Sequence, residues 1–540
     1  MAVRQTRWAR LRLDRPAWVA LALGLVGIGY RLVLTLLTVP GSNSDEATFG
    51  LVAAHIAEGR SLPVFLYGQH YMGTFESYLA AALFALLEPS WFALRLPLLL
   101  LYAAFVYLVH RLTRRLYSPW LATFTVGLLA LGSERVVRDQ LTAVGGRPEI
   151  KPAVVLLLLI AVGLGQHRIR HSRLVVGGFG LLAGLSLWDD WLVLPYLAVV
   201  GVVLLIACGR QLLGWSGVLL VGGFVLGLLP LIVDNLTAPP GQDSLSVLQQ
   251  LSDGESEPAS WGDRVRGSVL TGIPLATGLC PSEGCAPWQA WWGPLYLALL
   301  LVAAILAAVG IRRPGGTAAT DTGSAGATAG RRIVYVAQFA LVVGAALTVL
   351  SYARNALAAT APLATARYLS VLQISLPAVL WPLWLAARRW RRPTHRVLAA
   401  VSTTILAAVT AFMLFTTVTL VRQIGSIRAE ERSARELARF AERAGLRHVY
   451  GEYWTCNRLI FNSRERVICA VLGDDLRPGQ NRYAPYATEV QGADRPAFIF
   501  ETGGPADVAF QDYLREIGVP AKVTEVDGYR VYQPETTVRP

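Results

Sequence analysis

Two adjacent carboxylates, Asp45 and Glu46, stand in the stretch Gly41-Ser-Asn-Ser-Asp-Glu-Ala47, a few positions beyond the first long apolar run. A carboxylate placed there can accept a proton from an acceptor hydroxyl or bind a divalent cation. A structural role is also open. Ser44 could cap a helix whose first turn favours acids through the backbone dipole. A second group, Gly145-Gly-Arg-Pro-Glu149-Ile-Lys151, opens another apolar run. Ionisable side chains at such depth are costly and point to function by default. Glu149 could face Asp45 across a cavity, and Arg147 or Lys151 could neutralise a phosphate. The structural alternative is a helix start at Pro148 with Lys151 reaching to the interface.

Arg367 and Tyr368 form a third group, at the start of a late apolar run. An arginine at that level suits a lipid phosphate, and both residue types also serve as interfacial anchors. Trp188-Asp189-Asp190-Trp191 marks a tight turn between two runs, able to bind a sugar or cation or to stand as a solvated turn. Gln69, His70, Tyr71 and Glu76 lie between the first two runs as pocket candidates. Arg31 falls inside the first run and needs a partner or a phosphate.

The elements that must position these groups are set by composition. Of 540 residues, 54% are hydrophobic and only 16% charged, against about 25% charged in a soluble domain. The deficit comes from apolar runs long enough to cross a bilayer, and such runs must be helical because lipid cannot satisfy backbone polar groups. Basic clusters beside the runs place the N-terminal arm, residues 1–16, in the cytoplasm. Parity between those clusters then requires Thr74–Leu87 to lie on or dip into the outer leaflet rather than cross.

Eleven crossings result, near 17–39, 91–110, 119–133, 151–166, 173–189, 191–208, 212–233, 289–311, 333–352, 368–387 and 397–421. The expected fold is an all-α polytopic membrane protein with a membrane part over 17–422. Outer loops span 40–90 and 234–287, and a flexible cytoplasmic linker covers 312–332, rich in Gly, Ala and Thr over Pro314–Gly330. Residues 423–540 read as a small extracytoplasmic α/β domain, with helices over Ser426–Gly445 and Pro505–Ile517 and strands near 447–450, 466–471, 497–500 and 529–532.

The net charge of +13 does not imply nucleic acid. Residues 423–540 hold 16 basic and 17 acidic groups, so the excess sits beside the membrane runs. Cys280 and Cys285 share an outer loop, and Cys456 and Cys469 share the C-terminal domain. Both pairs lie on the oxidising side, where two disulfides are plausible. Cys208 reads as a buried small residue.

Several ordered segments carry a resemblance: Ser44-Asp-Glu-Ala47, Glu58-Gly59, Tyr67 through Leu79, Ala93-Leu-Arg-Leu-Pro97, Gly145 through Glu149, the Trp188 turn, Leu229 through Asn235, Ala366-Arg-Tyr-Leu369, Tyr450 through Thr455 and Asn481 through Tyr486. Together they resemble the GT-C membrane glycosyltransferases, in particular the bacterial group related to protein O-mannosyltransferases and aminoarabinose transferases. The set spans most of the chain. The resemblance implies a GT-C architecture with surface helices in the first outer loop, and inverting transfer from a polyprenyl-phosphate sugar to a glycan, lipid or protein acceptor. It implies that Asp45 is the base, that Glu46 and Glu149 support it or help hold a divalent cation, and that Arg367 with Lys151 or Arg147 stabilises the phosphate leaving group. The chain departs from the group at the Trp188 turn, where Asp189-Asp190 replaces a pair of the Thr-His kind.

A plasma-membrane transferase is thus the first expectation. A transporter of lipid-linked sugars would use the same basic groups without bond cleavage, though no internal repeat or broken midplane helix marks one. A scaffold presenting the C-terminal domain is a third reading.

Overall fold

The computed structural model describes residues 14–169, 173–254, 259–313, 324–389 and 395–539. Most of the basic N-terminal arm lies outside these residues, as do 170–172, 390–394 and the first part of the expected cytoplasmic linker. Among the described residues, nine helices are long and apolar enough to cross a membrane. They include α1 (Arg15–Leu36), α4 (Trp91–Leu116), α7 (Arg147–Gly165), α9 (Leu194–Leu212, with a short lead-in from Trp191) and α10 (Trp215–Thr237).

A tenth span is made if α5 (Pro119–Ala130) and α6 (Glu134–Leu141) count together, although the two are bent by 94°. The 17-residue α8 (Arg173–Asp189) packs along α10. The apolar runs read from the sequence fold as helices, the one at 368–387 as a 3-10 stretch leading into Leu376–Ala387. Against eleven expected crossings, nine among the described residues are long enough to span, or ten with the bent pair, and the protein is a multi-pass membrane protein.

The 40–90 loop carries α2 (Ser44–Ala57), a small hairpin of β1 (Phe65–Leu66) and β2 (Gln69–Gly73), and α3 (Phe75–Phe84). The apolar Thr74–Leu87 stretch is thus a ten-residue helix, too short to span. Asn43, not Ser44, caps α2, accepting from the Glu46 amide at 2.9 Å. Ser44 is drawn away because its hydroxyl donates to the carbonyl of Tyr453.

Arg31 has no solvent exposure and closes the broken end of α5. Its guanidinium donates to the carbonyls of Leu129, Ala130 and Leu131 and to Gln140. These are the carbonyls left without helical partners where the chain turns. Arg31 therefore finds its partner inside the protein.

The expected linker departs from the sequence reading. Residues 314–323 lie outside the described residues, but from Ser324 the backbone is already helical, within Ser324–Arg354. The alanines of that segment favour helix strongly enough to extend the following span. The domain boundary expected at 422/423 falls inside one helix, Arg396–Arg443, whose 48 residues run about 72 Å.

That helix delivers the C-terminal α/β domain. Its sheet has the order β4-β3-β5-β7-β6, formed by β3 (His448–Glu452), β4 (Ile468–Leu472), β5 (Ala497–Glu501), β6 (Ala521–Val526) and β7 (Tyr529–Pro534). β3, β4 and β5 are mutually parallel, and β6 and β7 run antiparallel at one edge.

A single apolar core joins this domain to the 40–90 loop, mixing Phe49, Val52 and Phe84 with Val449, Ile460 and Phe461. Gly50 makes the docking close: a Cβ there would lie 2.6 Å from the Phe461 ring. A separate core holds the membrane helices together. Cys280 is bonded to Cys285 and Cys456 to Cys469, while Cys208 is free and buried.

Candidate active site

Asp45 sits in the first turn of α2, nine residues after the end of α1. Three anchors fix that turn. The Asn43 cap is one. The second is Glu431 of the long helix, which accepts from the amide and hydroxyl of Ser42, both at 2.7 Å, and pairs with Arg458 at 3.2 Å. The third is Glu46. Both of its oxygens are taken by Arg95, at 2.7 and 2.6 Å, and neither side chain has solvent exposure. Arg95 also donates to the Pro40 carbonyl at 2.8 Å. Glu46 therefore faces the core rather than a substrate, because the buried guanidinium of Arg95 needs it there.

Asp45 points the other way, toward the C-terminal domain. Its Oδ1 accepts from the Tyr453 hydroxyl at 2.5 Å and from Arg482 Nη2 at 2.7 Å. Arg482 Nε donates to the Tyr453 hydroxyl at 2.7 Å, closing the triangle. Tyr453 directly follows β3 and Arg482 follows β4, so both come from the carboxyl ends of parallel strands, where α/β domains place their functional groups. Burial opposes the charge of Arg482, yet Asp45 and Tyr453 hold its pKa above the ordinary value. Burial and Asp45 raise the Tyr453 phenol. Arg482 and Tyr453 lie in two of the segments that carry the resemblance, but with 437 positions between Asp45 and Arg482 the sequence carries no sign that they pair.

Arg367 begins the segment that leads into the Leu376–Ala387 helix, and it lies against the Tyr368 ring at 5.3 Å. Asp45 and Asp139 are both within its electrostatic reach, and its Nε has no partner. Asp139 belongs to α6, the limb created by the 94° bend. It pairs with Arg147 at 2.7 Å, and its carbonyl accepts from Lys151 at 3.1 Å. Arg147 also donates to the Val144 carbonyl at 2.8 Å. Arg147 is thus already ion-paired, whereas Lys151 is held only by a backbone carbonyl.

Asp139 and its neighbour Arg138 escape the sequence reading. The Glu134/Arg138 and Arg135/Asp139 spacings on one short helix are the signal that could have found them. Arg138 pairs with Glu134 at 2.6 Å and donates to the Gly41 carbonyl at 3.1 Å, reaching back to the Asp45 turn.

Glu149 belongs to a second group. Its neighbours are Glu76 and Asp190, with Asp189 close by, and no cation among the described residues pairs with it. Glu76 accepts from the Gly145 amide at 2.7 Å. Burial, reinforced by Asp189, pushes the Glu76 carboxyl well above the usual range, and burial lifts Asp190 to about 6. The two groups communicate through Arg147, whose charge acts on both Glu76 and Asp190.

Gly145 and Gly146 make this crossing tight. Both have positive φ, +83° and +63°. A Cβ on Gly145 would lie 2.4 Å from the Met72 sulfur, and one on Gly146 would lie 2.1 Å from the Asp190 Cβ.

The remaining expected pocket residues are spread around this frame. Trp188 is buried and donates to the Val64 carbonyl at 3.2 Å, holding the hairpin rather than facing an open pocket. His70 lies 3.8 Å from Asp234 and is partly exposed, and its carbonyl accepts from Ser244. Gln69 and Tyr71 flank it on β2. Among the described residues, no three His, Cys, Asp or Glu side chains are arranged to hold a metal ion.

No protein-family model matches the chain, and no curated protein sequence matches it. Solved structures do. ArnT from Cupriavidus metallidurans bound to undecaprenyl phosphate superposes with a TM-score of 0.59 at 13% identity, covering 96% of this chain and 98% of that one. The same protein in its apo state gives 0.53 at 12% identity, covering 95% and 97%. The apo oligosaccharyltransferase of Archaeoglobus fulgidus gives 0.48 at 10% identity, covering 91% of this chain and 70% of that one. At these identities the likeness is one of architecture, and this chain has the GT-C fold, from its first membrane helix through its C-terminal domain.

Proposed function

We propose that this chain is an inverting glycosyltransferase that moves a sugar from a polyprenyl-phosphate donor to an envelope glycan, lipid or protein. In this reading the 40–90 loop and the C-terminal domain lie on the extracytoplasmic face of the plasma membrane, and the N-terminus is cytoplasmic. The observation that carries it is the placement of Asp45: one carboxylate just past the first membrane helix, ion-paired with Arg482 at 2.7 Å and within electrostatic reach of Arg367.

The chemistry follows from that placement. Asp45 Oδ1 is occupied by Tyr453 and Arg482, which leaves Oδ2 to take the proton of an acceptor hydroxyl. The hydroxyl oxygen attacks the anomeric carbon from the side opposite the phosphate. As that bond forms, the bond from the anomeric carbon to the phosphate oxygen breaks, and polyprenyl phosphate leaves with the electron pair. Arg367 stabilises the charge that develops on the leaving group. Glu46 acts only through the backbone, by fixing the turn that presents Asp45. ArnT from Cupriavidus metallidurans, a structural neighbour, is a protein crystallised with undecaprenyl phosphate, and that lipid class supports the choice of donor.

Purified full-length chain in nanodiscs, given a polyprenyl-phosphate sugar labelled in the sugar and an envelope extract as acceptor, tests the reading. Label should move to the acceptor while free polyprenyl phosphate accumulates. Label that crosses the bilayer still attached to lipid would overturn the transferase reading in favour of a transporter.

A further inference from the structure

The charges around Asp45 do not balance. Glu46 is matched by Arg95, Glu134 by Arg138 and Asp139 by Arg147. That leaves Asp45 paired with Arg482, and Arg367 within its electrostatic reach with no ion pair of its own among the described residues. Arg135 stands nearby on α6, donating to the Leu363 carbonyl at 2.9 Å. One carboxylate cannot neutralise this surplus.

The surplus also carries open donors. Arg482 is 91% buried, with 9% of its surface exposed, and its Nη1 has no partner. Arg367 Nε and Arg135 Nε likewise have none. A buried guanidinium with an unused N–H is costly unless an acceptor arrives to fill it. The acceptor that suits forked donors of this kind is an anion with several oxygens, such as a phosphate.

We propose that Arg482 is a donor-phosphate ligand carried into the pocket by the C-terminal domain, and that its bond to Asp45 is a lock which the arriving phosphate opens. This rests on the transferase reading above. In the structure Arg482 holds Asp45 Oδ1 at 2.7 Å and Tyr453 steadies both. When phosphate binds between Arg367 and Arg482, the guanidinium turns to the phosphate oxygens and Asp45 loses its counter-ion. With that counter-ion gone, the Asp45 carboxylate, which takes the proton on Oδ2, becomes the stronger base, and only in the presence of the leaving group it must work with. The C-terminal domain, on this view, is part of the catalytic pocket and not an appendage.

Binding of undecaprenyl phosphate to the full-length chain in nanodiscs, read by native mass spectrometry, tests this. Undecaprenol and inorganic phosphate serve as separate arms, so that lipid phosphate is told apart from free phosphate and from the apolar tail. Arg482→Ala should weaken undecaprenyl phosphate by about tenfold or more, and Arg482→Lys by less, because the charge stays while the fork is lost. Binding of undecaprenol should not change.

Asp45→Asn should tighten undecaprenyl phosphate binding by about tenfold, the low end of the coupling seen for close charge pairs. That gain should vanish when Arg482→Ala is added. A merely structural role for Arg482 would not produce this dependence, and the Asp45→Asn arm stands even if Arg482→Ala fails to fold. Unchanged affinity in Arg482→Ala, alongside lost affinity in Arg367→Ala, would overturn the lock and leave the transferase reading intact. So would an Asp45→Asn variant that binds no tighter than wild type. A wild-type chain that binds undecaprenyl phosphate no better than undecaprenol would bring down both.

Discussion

Removing the guanidinium of Arg95 should loosen the turn that carries Asp45. The magnitude follows from geometry. Arg95 and Glu46 meet in a two-pronged bond at 2.7 and 2.6 Å, with no exposure on either side, and Arg95 also holds the Pro40 carbonyl. Breaking a buried pair from one side leaves the other charge unmatched in low dielectric, at about 3–5 kcal/mol. Domain stabilities are about 5–15 kcal/mol, so roughly a fifth of the margin or more is at stake.

Arg95→Met and Glu46→Gln should each lower the thermal midpoint and expose the 40–90 loop to protease. The double variant has no stranded charge. It should recover roughly 2 kcal/mol or more of the sum of the single effects, a coupling typical of contacting residues. Thermal unfolding followed by tryptophan fluorescence, with limited proteolysis in parallel, reads all three. Strictly additive losses in the double variant would refute the reasoning, because they would mean that neither group depends on the other.

Two further outcomes follow from the packing around the site. Gly146→Ala forces a left-handed backbone on a residue with a side chain, about 1–2 kcal/mol, and drives its Cβ into Asp190, about 1–3 kcal/mol more. The expected result is a clear drop in the midpoint, whereas an unchanged midpoint would show that the α7 start can shift away from Asp190. Glu465 gives a pH effect: although burial opposes its charge, hydrogen bonds from His55, Arg60 and Tyr486 hold its carboxyl far below the usual range. A depressed carboxylate stabilises the fold above its unfolded pKa of about 4.3, and that contribution is lost as pH falls below it. Protease release of the C-terminal domain should therefore rise below about pH 4, and Glu465→Gln should release it more readily at neutral pH and flatten the acid response.

Much of this architecture is legible in the sequence, because membrane helices announce themselves by unbroken apolar length. The α3 helix is readable for the same reason: its apolar stretch is too short to cross. The C-terminal strands fall close to their expected places because short β-rich runs bounded by turn residues persist there. The 94° bend between α5 and α6 is not readable. It depends on Arg31, about a hundred residues away, filling the carbonyls that the bend exposes.

The same limit hides the pocket. Asp45 stands out as one of two adjacent acids a few positions past the first membrane run, but its partners Tyr453 and Arg482 reach it only through tertiary docking of a distant domain. Glu46 resembles Asp45 in the sequence and differs from it wholly in the fold. Successive helical residues point about 100° apart, and one faces Arg95 while the other faces the pocket.

The most direct measurement compares wild type with Asp45→Asn in the same nanodisc preparation, following both sugar transfer and undecaprenyl phosphate binding. Transfer should fall by about 10²–10⁴-fold, the usual worth of a positioned base, while the lipid still binds at least as well as to wild type. Transfer at the wild-type rate by a correctly folded Asp45→Asn chain would contradict the assignment of Asp45 as the base.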